Sequence, residues 1–180
     1  MQPIRNKRQV EEFLEALKEK DLKYYTLAFC GIYSGLRISD LLSLQVKDVR
    51  NARYLYIKEK KTEKKRTITI NAELKKVLDI YIEGMDDDSY VFHQRLDKHK
   101  PVSRQYTHRI LSETAAFIGI NEKISNHSLR KTFGWFMYQQ TKDVALLQQI
   151  FGHSAPSVTL RYIGVNDKII ETAYDNFSIL

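Results

Sequence analysis

Residues 152–162 read GHSAPSVTLRY. Gly152 stands where a helix over 143–151 stops, because glycine takes a left-handed cap without steric cost. Pro156 suits the first turn of the next helix, where its missing N–H has no intrahelical partner to lose. Tyr162 falls at the end of that short helix, nine residues after His153. Taken alone, Tyr162 reads as one core aromatic among eleven tyrosines.

Upstream lies NHSLRKTFGWF, residues 126–136, with His127 and Arg130 three positions apart. That spacing puts both on one face of a helix predicted over 128–140. They sit at its N-terminus, where free N–H groups favour an anion. Further upstream, SGLRISDLL (34–42) sets Arg37 just after a glycine turn. Two helices are predicted before it. One covers 8–19, with Asn6 as its cap and Val10, Phe13, Leu14 and Leu17 on one face; the other covers 22–34, ended by Gly35. Ser39 is the expected cap of a further helix through DLLSL.

The period then changes from helical to alternating. RYLYIK (53–58) and RTITI (66–70) flank the charged stretch EKKTEKK, which predicts a β-hairpin. Asn71 is expected to cap a helix carrying Leu74, Val77, Leu78 and Tyr81, and Ser103 to open one reaching Ile118. Asn166 or Asp167 would cap a last helix with Ile169, Ile170, Ala173 and Phe177 as its apolar stripe. The whole reads as a mostly helical α+β domain with one small antiparallel sheet.

Composition sets the outer bounds. The 180 residues carry 29 Lys and Arg against 22 Asp and Glu, a net charge of +7 that suits a polyanionic partner. Cys30 is the only cysteine, so neither an internal disulfide nor a thiolate metal cluster is available. Its apolar neighbours make it a small buried hydrophobe. The opening residues have no apolar segment of the secretory kind, and no apolar run reaches the length of a membrane span. A cytoplasmic protein is expected. The acidic EGMDDDS stretch (83–89) lacks the spaced partners of a cation cage, and His93, His99 and His108 fit no zinc pattern.

An Arg after a glycine turn, a lysine-rich hairpin, His-x-x-Arg, Gly-His and a Tyr occur here in one order. In SGLRISDLLSL, HSLRKTFG and GHSAPSVTLRY above all, the chain resembles the tyrosine recombinase (phage integrase) family, from about Ile4 to beyond Tyr162. The resemblance implies the family's catalytic fold, with residues 1–180 as one catalytic domain and neither a core-binding nor an arm-binding domain in this chain. It implies Tyr162 as nucleophile, Arg37 and Arg130 on the scissile phosphate, and His127 as general acid/base. His153 matches a position of His or Trp beside the phosphate. Lys61 best matches the lysine that protonates the leaving oxygen, with Lys60 and Lys64 as close rivals. Asp40 matches a structural acidic position.

The implied reaction is DNA cleavage and rejoining through a 3′-phosphotyrosyl bond, without metal, ATP or any other cofactor. The implied partners are double-stranded DNA and further protomers, monomeric before binding and tetrameric in the synapse. The apolar stripe after Tyr162 could bury against the domain's own core; the resemblance implies instead that this segment, docked in cis or mobile in solution, passes to a neighbouring protomer on paired DNA sites. Lys131 and Phe151 depart from the family's frequent His and Leu. Two other readings stand beside this one: a type IB topoisomerase, which usually has Lys at the place of His127, and a DNA-binding module without catalysis.

Overall fold

Helix α1 (Lys7–Lys20) starts where the Asn6 side chain accepts the Arg8 N–H at 2.8 Å, and it buries Val10, Phe13, Leu14 and Leu17. These contacts belong to a computed structural model that describes residues 1–58, 65–165, 171 and 174–178. Helix α2 (Leu22–Ser34) is capped by Asp21 and is apolar nearly all round, as a central helix must be. It packs against α1 and against two later helices, α5 (Ala72–Tyr81) and α7 (Asn126–Thr141). Gly31 permits the approach to α7, since a Cβ there would lie 2.9 Å from Leu129.

Two short helices, α3 (Ile38–Leu41) and α4 (Val46–Val49), lead into strands β1 (Tyr54–Lys58) and β2 (Lys65–Thr69). The strands pair antiparallel, with Leu55 opposite Ile68 and Ile57 opposite Arg66. The expected turn, including Lys60, Lys61 and Lys64, lies outside the described residues. Leu55, Ile57, Ile68 and Ile70 line the inner face of the hairpin, buried or partly so, and join the main core. Asn71 caps α5 through the Leu74 N–H, as predicted.

Helix α6 (Arg104–Phe117) opens at Ser103, and α8 (Val144–Phe151) at Asp143. Helix α9 (Pro156–Ile163) has its proline in the first turn and ends at Gly164. Apart from the helix expected through DLLSL, which ends at Leu41 rather than near Leu44, the predicted boundaries hold within two residues. One cap does not. Ser39 lies inside α3, and Arg37 takes the N-cap position, where its side chain makes no capping bond to the helix. Arg37 is extended and the chain turns helical directly after it, so the cap falls two residues sooner than the one expected at Ser39.

The core has two parts. The larger runs from Ile4 to Leu129 through the first seven helices and the hairpin, and it buries Cys30. The smaller centres on Leu147, Phe151 and Ile163, with Phe133, Met137, Leu160 and Tyr162 packed on it. Helix α7 contributes to both. Among the described residues no helix is long and apolar enough to cross a membrane, and no cluster of three metal-ligating side chains occurs. Asp86, Asp87 and Asp88 are taken up by Lys98, Arg50 and Lys47 respectively. The predicted tail helix falls mostly on undescribed residues; of its stripe only Phe177 is described, and it is exposed.

Candidate active site

Arg130 is the hub of the site. It is 3 % exposed, in the first turns of α7. A buried guanidinium must spend its donors on the protein or on a bound anion. Its Nη1 donates to the Gly35 carbonyl, and its Nη2 donates to the Phe151 carbonyl at 3.2 Å. The Phe151 ring lies under it, 4.3 Å from Cζ to centroid. Arg130 therefore ties the turn after α2 to the end of α8.

Those two turns carry the neighbouring residues. Gly35 sits at φ 63, and a Cβ there would also run into the Phe133 ring. The turn it permits presents a carbonyl to Arg130 and, two residues on, half-buried Arg37. Gly152, at φ 67, ends α8 and delivers His153. The His153 Nδ1 is 2.9 Å from the Thr159 hydroxyl, which is fully buried, so Nε2 is the nitrogen that remains for the site. The His153 ring meets Tyr162 edge-on at 5.1 Å between centroids, and Phe151 meets Tyr162 at 5.4 Å.

The charges are mutually felt. Burial lowers the Arg130 pKa to about 10; the nearby Arg37 and Arg66 push the same way, and Tyr162 and Asp40 oppose them. Burial raises the Tyr162 phenol, while Arg130, by charge and as a hydrogen-bond donor, and Arg37 by charge pull it back. His153 is lowered by burial, then by Arg130, Arg37 and Arg66. His127 sits second in α7, beyond a Ser125–Ser128 capping box. It is exposed as a whole residue, yet loss of water leads the lowering of its pKa, followed by Arg130, Lys131, Arg104 and Arg37. Both imidazoles are thus held toward the neutral form that accepts a proton.

Arg37, Arg130, His153 and Tyr162 come together, and His127 feels both arginines. Asp40 is close enough to act on Arg130. Lys61 lies outside the described residues. Three contributors escaped the sequence. Arg66 sits on the same strand face as Ile68 and Ile70, and its strand context alone gave no sign that its charge reaches Arg130. Thr159 orients His153. Lys131 places its ammonium 5.2 Å from the Tyr162 ring centroid. The arrangement concentrates permanent positive charge around a phenol and two neutral imidazoles. It is suited to holding an oxyanion while an oxygen nucleophile attacks it.

Comparison with known proteins gives the same picture. The phage integrase family matches residues 5–168. A probable integrase/recombinase YoeC of Bacillus subtilis (strain 168) is 46 % identical over 177 residues, covering 98 % of this chain and 97 % of that protein. The crystal structure of XerA recombinase superposes with a TM-score of 0.79 at 22 % identity, covering 100 % of this chain and 66 % of that one. XerH site-specific recombinase, bound to its difH substrate in a pre-cleavage complex, gives 0.70 at 20 % identity, over 95 % of this chain and 53 % of that one. The chain thus spans nearly all of the first relative but about two-thirds and about half of the two recombinases of known structure.

Proposed function

The chain belongs to the phage integrase family of tyrosine recombinases, and from that premise we propose that it cleaves and rejoins double-stranded DNA at specific sites with Tyr162 as its nucleophile. The observation that carries the reading is the convergence of Tyr162, Arg130, Arg37 and His153 on one cationic site. Phosphoryl transfer gathers negative charge on the non-bridging oxygens. Guanidinium groups meet those oxygens in pairs of hydrogen bonds and keep their charge near neutral pH.

In this reading the Tyr162 Oη attacks the phosphorus and forms a 3′-phosphotyrosyl bond. The phenolic proton passes to neutral His127, and the bond to the 5′-oxygen breaks. Lys61, or its neighbour Lys60 or Lys64, gives that oxygen its proton. Arg37 and Arg130 hold the phosphate, His153 supports it through Nε2, and Asp40 orients its neighbours. A 5′-hydroxyl of another strand then attacks the phosphotyrosine, which restores the phenol. The stored ester bond makes ATP and metal unnecessary. Protomers would meet on paired sites as a tetramer and separate to monomers without DNA, in the cytoplasm where the DNA is.

A pool of nicked duplexes with randomised sequence tests this reading, because loss of a short fragment after cleavage traps the covalent adduct. The native protein should yield adducts enriched in one sequence family. Tyr162→Phe should keep DNA affinity and give none. An adduct formed by Tyr162→Phe would remove Tyr162 from the role.

A further inference from the structure

The segment before α1 is tied to the end of the nucleophile's helix. Pro3 and Ile4 are buried, and the Ile4 N–H donates to the Thr132 hydroxyl of α7 at 2.9 Å. The Met1 carbonyl accepts the Lys131 ammonium at 3.1 Å, the same ammonium that stands over the Tyr162 ring. Arg5 lies on Trp135, 5.2 Å from Cζ to the ring. Its Nη2 donates to the Gly164 carbonyl at 3.1 Å, two residues past Tyr162.

That last contact is built rather than incidental. Gly164 is the C-cap of α9 at φ 85, and any Cβ there would run into the same Arg5 nitrogen. The Arg5 Nε is buried with no hydrogen-bond partner, a cost that an exposed tether would not carry. Burial lowers the Lys131 pKa and the charge of Arg5 adds to it, so the two cations stand close together. One grips the backbone just after Tyr162 and the other covers its ring.

We propose that Arg5 is a positioning residue for Tyr162: residues 1–5 form a strap across α7 that fixes the last turn of α9, and so sets the phenol against Arg130. This rests on the reading of Tyr162 as the nucleophile. A short helix whose final turn has one side packed and the other free would let the phenol wander, and a displacement of about 1 Å is enough to cost a reaction about 100-fold. The strap removes that freedom.

The test compares Arg5→Met with Arg5→Lys. Methionine keeps an apolar stem on Trp135 and removes the donors; lysine restores one donor. Two readouts are needed. Amide exchange at Gly164 and Val165 reports the strap itself and requires no activity. Single-turnover adduct formation on a duplex selected from the nicked pool reports its consequence. Arg5→Met should speed exchange at both amides and slow adduct formation by about tenfold or more, with DNA affinity unchanged. Arg5→Lys should recover most of both. Unchanged exchange in Arg5→Met would overturn the strap whatever the activity. Faster exchange with native adduct formation would overturn the positioning role, as would a rate loss matched by lost DNA affinity or not relieved by lysine. Should native protein form no adduct, the nucleophile assignment fails, and the exchange data still decide the strap.

Discussion

In the proposed reaction His127 has to be neutral to take the phenolic proton, and both His127 and His153 are surrounded by cations. Burial and the neighbouring Arg130, Arg37 and, for His127, Lys131 and Arg104 lower their pKa values from the ordinary 6.5. A base whose folded pKa is depressed binds fewer protons folded than unfolded below about 6.5. Stability from this source is therefore complete above that pH and is lost as pH falls toward the folded values. The melting temperature should drop between pH 7.5 and pH 5.5, a window in which Asp and Glu stay ionised because even its acid end lies about one to two units above their usual values. His127→Gln combined with His153→Gln should flatten that drop. A melting temperature that rises on acidification would contradict the electrostatics. The cleavage rate should have its acid limb below about 6.5, because protonated His127 cannot take the phenolic proton.

Turns, more than helices, assemble the site. Arg130 bonds to the carbonyl oxygens of Gly35 and Phe151, so the left-handed residues Gly35 and Gly152 set where Arg37 and His153 stand. Gly35→Ala combines a positive φ with a clash against Phe133. It should cost roughly 1–3 kcal/mol in stability and should impair adduct formation beyond the loss of folded protein, since both Arg37 and the Gly35 carbonyl move. Urea unfolding and trapping on the same preparation check this. An unaltered rate per folded molecule would show that the turn does not place Arg37.

Much of this was legible beforehand. Asn6, Asn71 and Ser103 cap helices where their short polar side chains predict, and the alternation around residues 53–70 yields the hairpin. Helix α4 was not predicted; its four residues are too few to show a period, although Gln45 and Asp48 form its capping box. Arg37, Arg130, His153 and Tyr162, which the structure brings together, could be singled out because they lie in local motifs that carry the family resemblance. Arg5 and Thr132 could not, because their bonds join residues 159 and 128 positions apart. No local pattern encodes such a pairing. Arg66 was hidden for a related reason: strand alternation assigns it a face but not what that face meets.

At the scale of the molecule, Tyr162 packs on the smaller core around Phe151, while Arg37 comes from the larger one. Helix α7 and its Arg130 join the two. The net charge of +7 makes an electrostatic grip on DNA the expectation. Log affinity should fall linearly with log salt, by about 0.9 per phosphate neutralised. Affinity independent of salt would contradict a phosphate-dominated interface.

Mapping the trapped adduct decides whether Tyr162 carries the covalent link. Trypsin cuts after Arg161 and Lys168, releasing residues 162–168, YIGVNDK, which contain a single tyrosine. After nuclease trimming of the DNA, mass spectrometry should find the residual nucleotide on that peptide. The same mass added to residues 169–180, which hold Tyr174, or to any other peptide would show that Tyr162 is not the nucleophile.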